Sequence, residues 1–225
     1  MTKRNLALCF GVVLSMTTML RADIVGSNPH TALPTLDTCS GCLFAYIQFG
    51  ASNAGQAVLS YQFYNGAGAG TTNELTPILF EKTGFVTDRT FEIRGIGNTS
   101  TGFAAGYNTV PFVLAQGSAT VLDANTFFGY VDGDASGKGN TGTIVSNYPT
   151  GPGATTYYHI AITGGVSAGD SIGDFHAFTD SPTPGQNART YSLQVTTTPE
   201  PGFYGALALG LCGLVVGLKR RSRRA

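Results

Sequence analysis

The chain has 225 residues, of which 31 are glycine, and its 13 basic and 13 acidic side chains cancel to a formal charge of zero. That balance averages unlike parts, because the central region holds five basic residues (Lys82, Arg89, Arg94, Lys138, Arg189) against twelve acids, a formal charge of −7. A negative body repels phosphate backbones, which excludes nucleic acid as a partner.

Residues 1–22 read as a secretory leader: Lys3 and Arg4 form a positive start, 6–20 is an apolar run, and Ala22 offers a small residue at a cleavage site. Leu20 and Arg21 depart from the usual small-x-small pattern, so the cut is placed near Asp23 and not fixed to one bond. The Sec translocon and signal peptidase follow as partners. An uncleaved anchor competes with this reading, although 15 apolar residues are short for a permanent span.

The body, 23–195, is long enough for one domain with its own core. Its two cysteines, Cys39 and Cys42, are expected to close a small local disulfide in an oxidising compartment. A thioredoxin-like centre would need a helix after the motif, whereas Leu43 to Ile47 read as a strand. Zinc would have to find two further ligands among three scattered histidines.

Short alternating runs rich in aromatic and β-branched residues predict strands near 43–49, 57–64, 74–81, 90–96, 110–116, 126–131, 142–146, 156–163, 171–179 and 189–196. Turn residues separate them at 65–70, Asp132-Gly133, Gly164-Gly165 and 168–170. No window has sustained helical periodicity. The expectation is all-β: an antiparallel two-sheet β-sandwich, jelly-roll-like, with a signal peptide before it and a single transmembrane helix after it.

Candidate chemistry within the body is sparse. Asp132, Asp134, Ser136 and Asn140 place oxygens at positions 1, 3, 5 and 9 of a calcium loop with Gly137 at position 6, but Thr143 stands where the bidentate Glu belongs. A looser Ca²⁺ cage would borrow Asp123 or Asp170; no other metal or cofactor is expected. Gly165-Val166-Ser167-Ala168-Gly169 matches a nucleophile elbow, with His159, Asp170, Asp174 and His176 nearby, yet a strand pattern follows where a helix is required, so a hairpin turn is the preferred reading. Glu74, Glu81 and Glu92 show no same-face pair motif that would mark a glycosidase. With no tryptophan, sugar stacking would fall to Tyr107, Tyr130, Tyr148, Tyr157 and Tyr158, although buried or sheet-surface tyrosines are the preferred reading.

The chain closes with a spacer at 196–202, an apolar run at 203–218 and a basic tail at 219–225. The 16 apolar residues make a helix of about 24 Å, a brief span for a hydrocarbon core of about 30 Å. Lys219, Arg220, Arg221, Arg223 and Arg224 resist translocation and so act as a stop-transfer cluster.

Pro199-Glu200-Pro201, the short apolar stretch and the Arg-rich end, in that order, resemble the PEP-CTERM sorting signal of Gram-negative bacteria. The resemblance covers about an eighth of the chain. It implies that Pro199, Glu200 and Pro201 are the triplet read by an exosortase, a membrane-embedded protease-transpeptidase. It also implies export through the inner membrane, transient anchoring, and a final place on the surface or outside the cell, among bacteria that make extracellular polysaccharide. The resulting expectation is a non-catalytic structural or adhesive protein. A carbohydrate-binding module is the alternative, and a secreted hydrolase stands well behind both.

Overall fold

The computed structural model describes residues 22–27, 35–36, 42–66, 74–84, 89–133, 145–147, 158–162, 164–177 and 190–198, together with Gly210 and Gly213. The chain divides into two units, Ile24–Thr197 and the terminal segments Met1–Asp23 with Thr198–Ala225. The leader before Ala22, the triplet at 199–201 and the basic tail lie outside the described residues. Of the apolar run only Gly210 and Gly213 are described, both helical. No helix among the described residues is long and apolar enough to cross a membrane.

Ile24–Thr197 is all-β. Its strands are β1 (Ile24–Gly26), β2 (Thr35–Leu36), β3 (Cys42–Gln48), β4 (Val58–Asn65), β5 (Glu74–Lys82), β6 (Phe91–Gly97), β7 (Ser100–Thr101), β8 (Gly106–Pro111), β9 (Leu114–Gly117), β10 (Thr126–Asp132), β11 (Val145–Asn147), β12 (Tyr158–Ala161), β13 (Ser171–Ile172), β14 (His176–Ala177), β15 (Thr190–Tyr191) and β16 (Leu193–Thr197). One sheet has the order β1-β16-β4-β8 and a larger one β13-β6-β5-β10-β3-β12-β14, with β7 beside β5 and β9 beside β6. A small third sheet joins β15, β11 and β2. The pairings are antiparallel throughout.

Alternation explains the layering. Tyr61 and Phe63 of β4 and Leu193 and Val195 of β16 turn inward and join Phe44, Tyr46, Leu75, Leu79, Phe128 and Tyr130 of the larger sheet in one buried cluster. The two sheets thus cover each other across a shared core, consistent with a β-sandwich. The opposite face of the larger sheet is also buried, where Leu43, Ala45, Ile78, Phe80, Phe91, Phe127 and Phe175 form a second cluster. Because β3 is covered on both faces, its run Cys42 to Ile47 is apolar throughout rather than alternating.

The second cluster closes because the large sheet coils. Phe91 of β6 and Tyr158 of β12 have ring centroids 5.2 Å apart, although β5, β10 and β3 lie between their strands. A flat sheet would separate them by about 19 Å at 4.8 Å per strand. Register shifts at Phe128/Gly129 and Leu79/Phe80 mark the bulges that supply the curvature.

Three expected strands are revised. The run 110–116 is split into β8 and β9, because Phe112 turns into the core and Val113 faces outward between them. The run 171–179 is split into β13 and β14 by Asp174, whose φ of 59° is left-handed and cannot continue a strand. The run 189–196 is divided at Ser192, so that β15 and β16 belong to different sheets. The strands β1, β2 and β7, of two or three residues, have no counterpart among the expected elements.

Candidate functional site

Of the expected site residues, Pro199, Glu200, Pro201, the tail cations and Cys39 lie outside the described residues. Cys42 is buried and disulfide-bonded. Asp134, Ser136, Gly137 and Asn140 are likewise outside, and Asp132 is placed by its backbone at the end of β10. Of the looser calcium cage, only the backbone of Asp132 and the residues Asp123 and Asp170 are described. Asp123 precedes Thr126 at the opposite end of β10, six extended residues or about 20 Å from Asp132. Asp170 also lies at that far end, since its carbonyl bonds Ile93 N, and Ile93 is registered with Phe80 and Phe80 with Phe127. Among the described residues no group of three or more metal-ligating side chains occurs.

The 165–169 segment is a turn, but not one that joins a hairpin. It links β12, which pairs with β3, to β13, which pairs with β6. Ser167 N donates to Asp170 Oδ2 at 2.7 Å, Gly169 N donates to Ile93 O, and Ala168 N donates to Gln116 Oε1 at 3.2 Å. Those bonds pin the turn onto β6 and β9. Ser167 sits exposed, with neither a strand immediately before it nor a helix after it.

A same-face carboxylate pair, absent from any sequence motif, does appear. Thr126, Glu81, Glu92 and Ser171 are cross-strand neighbours on β10, β5, β6 and β13. Burial holds the Glu81 carboxyl above its ordinary value, the nearby Asp123 charge adds to this, and the Thr126 hydroxyl and Arg94 partly offset it. Thr126 Oγ1 donates to Glu81 Oε2 at 2.8 Å while accepting from the backbone N–H groups of Leu122 and Asp123. Glu92 is held by Arg94 at 2.7 Å. Each carboxylate is thus committed: Glu81 through Thr126 to the turn before β10, Glu92 to its own strand's arginine.

The tyrosines separate by burial. Tyr130 lies fully inside the core, stacked on Phe44 at 4.9 Å, in keeping with the preferred reading of these tyrosines as buried or on a sheet surface, and it is not available to stack on a sugar. Tyr158 packs against the second cluster and accepts from Lys82 Nζ at 2.8 Å. Tyr148 and Tyr157 are outside the described residues. Of the three that are described, Tyr107 alone is exposed, at 38%, and it lies directly opposite Tyr64 across β8 and β4.

That pair belongs to a continuous surface. The outward residues of the four-stranded sheet are Ile24 and Gly26 on β1, Gln194 and Thr196 on β16, Ser60, Gln62 and Tyr64 on β4, and Tyr107, Thr109 and Pro111 on β8. None is charged. Gln194 Nε2 donates to Gln62 Oε1, and Thr109 Oγ1 donates to Tyr107 Oη at 3.0 Å. The face therefore offers amide and hydroxyl groups in register with two aromatic rings, a set able to hydrogen-bond and stack on a neutral polar ligand.

No protein-family model matches the chain, and neither a curated protein nor a solved structure is detectably similar to it.

Proposed function

We propose that the chain is an exported cell-surface or extracellular-matrix protein carrying a PEP-CTERM sorting signal, with a non-catalytic structural or adhesive role beside extracellular polysaccharide. The observation that carries this is the C-terminal order of Pro199-Glu200-Pro201, an apolar run at 203–218 and five cations at 219–224. A leader at 1–22 starts translocation, the cationic tail halts it, and an exosortase removes the anchor at the triplet. The β-sandwich body, jelly-roll-like in this reading, is then left outside the inner membrane, where a Cys39–Cys42 disulfide is stable.

Intact-mass analysis of the protein from its producing cell tests this at both ends. The expected mass lacks the leader and the segment after the triplet, and Pro199→Ala with Pro201→Ala leaves the basic tail attached in the membrane fraction. Full-length chain in the cytosolic fraction would overturn the proposal.

A second reading, binding of neutral polysaccharide, is favoured by the uncharged face carrying Tyr64 and Tyr107. Polysaccharide pull-down should weaken on Tyr107→Ala while Tyr158→Phe, a change off that face, leaves it unaltered.

A further inference from the structure

We propose that the end of the four-stranded sheet at which β16 finishes rests on the surface of a lipid bilayer. Among the described residues six large apolar side chains are exposed: Ile24, Leu59, Tyr107, Val113, Leu114 and Leu122. Single exposed apolar groups are ordinary, whereas a gathering of them marks a contact surface. All but Tyr107 gather at or beside one end. Ile24 of β1, Thr196 of β16, Ser60 of β4 and Pro111 of β8 form the last full cross-strand row there. Leu59 lies next outward from that row on β4, and Phe112 N donates to its carbonyl, which brings Val113 and Leu114 alongside. Beyond them Val121 N donates to Gln56 O and Gly55 N donates to Val121 O, so Leu122 continues the same edge. Tyr107 lies toward the other end of β8, four residues or about 13 Å from Pro111.

The chain that leaves this end says what covers it. Thr197, the last residue of β16, is fully buried, and its Oγ1 donates to Gln56 Oε1, which also accepts from Asn53 Nδ2 at 3.3 Å. β16 lies between β1 and β4 and fills the first core cluster, so it does not peel away without opening that core. Five residues, 198–202, then precede the apolar run at 203–218. Six extended steps span at most about 20 Å, so a bilayer that takes up the run, as the proposed anchoring requires and this inference presupposes, lies within that reach of Thr197. Ile, Leu and Val side chains gain by leaving water for the acyl boundary. Ser60, Pro111 and Thr196 between them carry no charge to be desolvated on approach. Asp123, exposed directly after Leu122, favours a zwitterionic lipid surface over an anionic one.

The chain has no tryptophan, so a single introduced one reports its own surroundings. The test uses the full-length protein reconstituted in phosphatidylcholine vesicles, with or without bromine near the top of the acyl chains. Side chains at such an interface sink about 5–10 Å toward the hydrocarbon, so emission from Val113→Trp and from Leu122→Trp should fall about twofold in the brominated vesicles while Tyr107→Trp is unchanged. Both positions are exposed and have room for the ring, and each variant checks the other. Equal emission from Val113→Trp and Leu122→Trp in the two kinds of vesicle would overturn the proposal. A blue-shifted but unquenched signal from a protein of doubled mass would also overturn it, by giving the surface to a second copy. Leu214→Trp separates this contact from the anchor. Quenching there but not at Val113→Trp or Leu122→Trp sinks the contact and leaves the anchor standing, whereas the reverse supports the contact and removes the anchor.

Discussion

Tyr46 and Glu81 show opposite uses of a buried polar atom. The Tyr46 hydroxyl accepts from Tyr191 N at 3.0 Å, with Ser27 Oγ 3.1 Å away, so one side chain of β3 ties the start of the chain and the approach to β16 across the core. Tyr46→Phe keeps the ring and deletes that acceptor, and should lower unfolding stability by about 1–3 kcal/mol in denaturant titration. Glu81 carries a charge where burial disfavours it. Folded Glu81 holds its proton more tightly than the unfolded chain does, whose ordinary value is 4.5, so its contribution is most favourable below that pH and is lost as pH rises through the folded value. Glu81→Gln keeps an acceptor for Thr126 and removes the charge. The variant should therefore melt higher than wild type near pH 7, with the gap closing toward pH 4, and a gap of constant size would show that Glu81 is not the titrating group.

At the scale of elements, the strands with a buried face were legible because alternation or an unbroken apolar run announces them: β3, β4, β5, β6 and β10 lie where the pattern places them. The short strands β1, β2 and β7 were not, since two or three residues form no period and are held by partners distant in sequence. Register was equally hidden. Glu81 opposite Glu92 and His159 opposite His176 follow from connections whose geometry no local pattern encodes. Gly129 is the point where register becomes energetic. A Cβ there would stand 1.6 Å from Phe44 O and 2.9 Å from Phe80, so the bulge between β10 and β3 admits only glycine. Gly129→Ala must displace backbone of two central strands, and a loss of about 3 kcal/mol or more is expected, read as a fall in thermal midpoint of roughly 6–12 °C. A variant as stable as wild type would mean that the bulge is not needed for the sheet to coil.

For the molecule as a whole, charge is distributed unevenly: the body is formally −7, yet the outward surface of the four-stranded sheet has no ionisable group other than two tyrosines. Contacts made through the acidic remainder would weaken with added salt, because exposed charges are screened over about 10 Å at 0.1 M. Contacts made through Gln62, Gln194, Thr109, Tyr64 and Tyr107 would not, since stacking and neutral hydrogen bonds have no counterion to release. Retention of the protein on an immobilised neutral polysaccharide should accordingly be the same at 0.05 and 0.5 M NaCl. Tyr107→Ala should reduce it about fivefold, the equivalent of one aromatic contact of about 1 kcal/mol. Replacing Gln62 by Glu puts a charge at the centre of the face and opposite Gln194 without changing side-chain length, so it should weaken retention while leaving the fold intact by circular dichroism. Binding that collapses at high salt but survives Tyr107→Ala would move the contact to the acidic surface and away from this sheet.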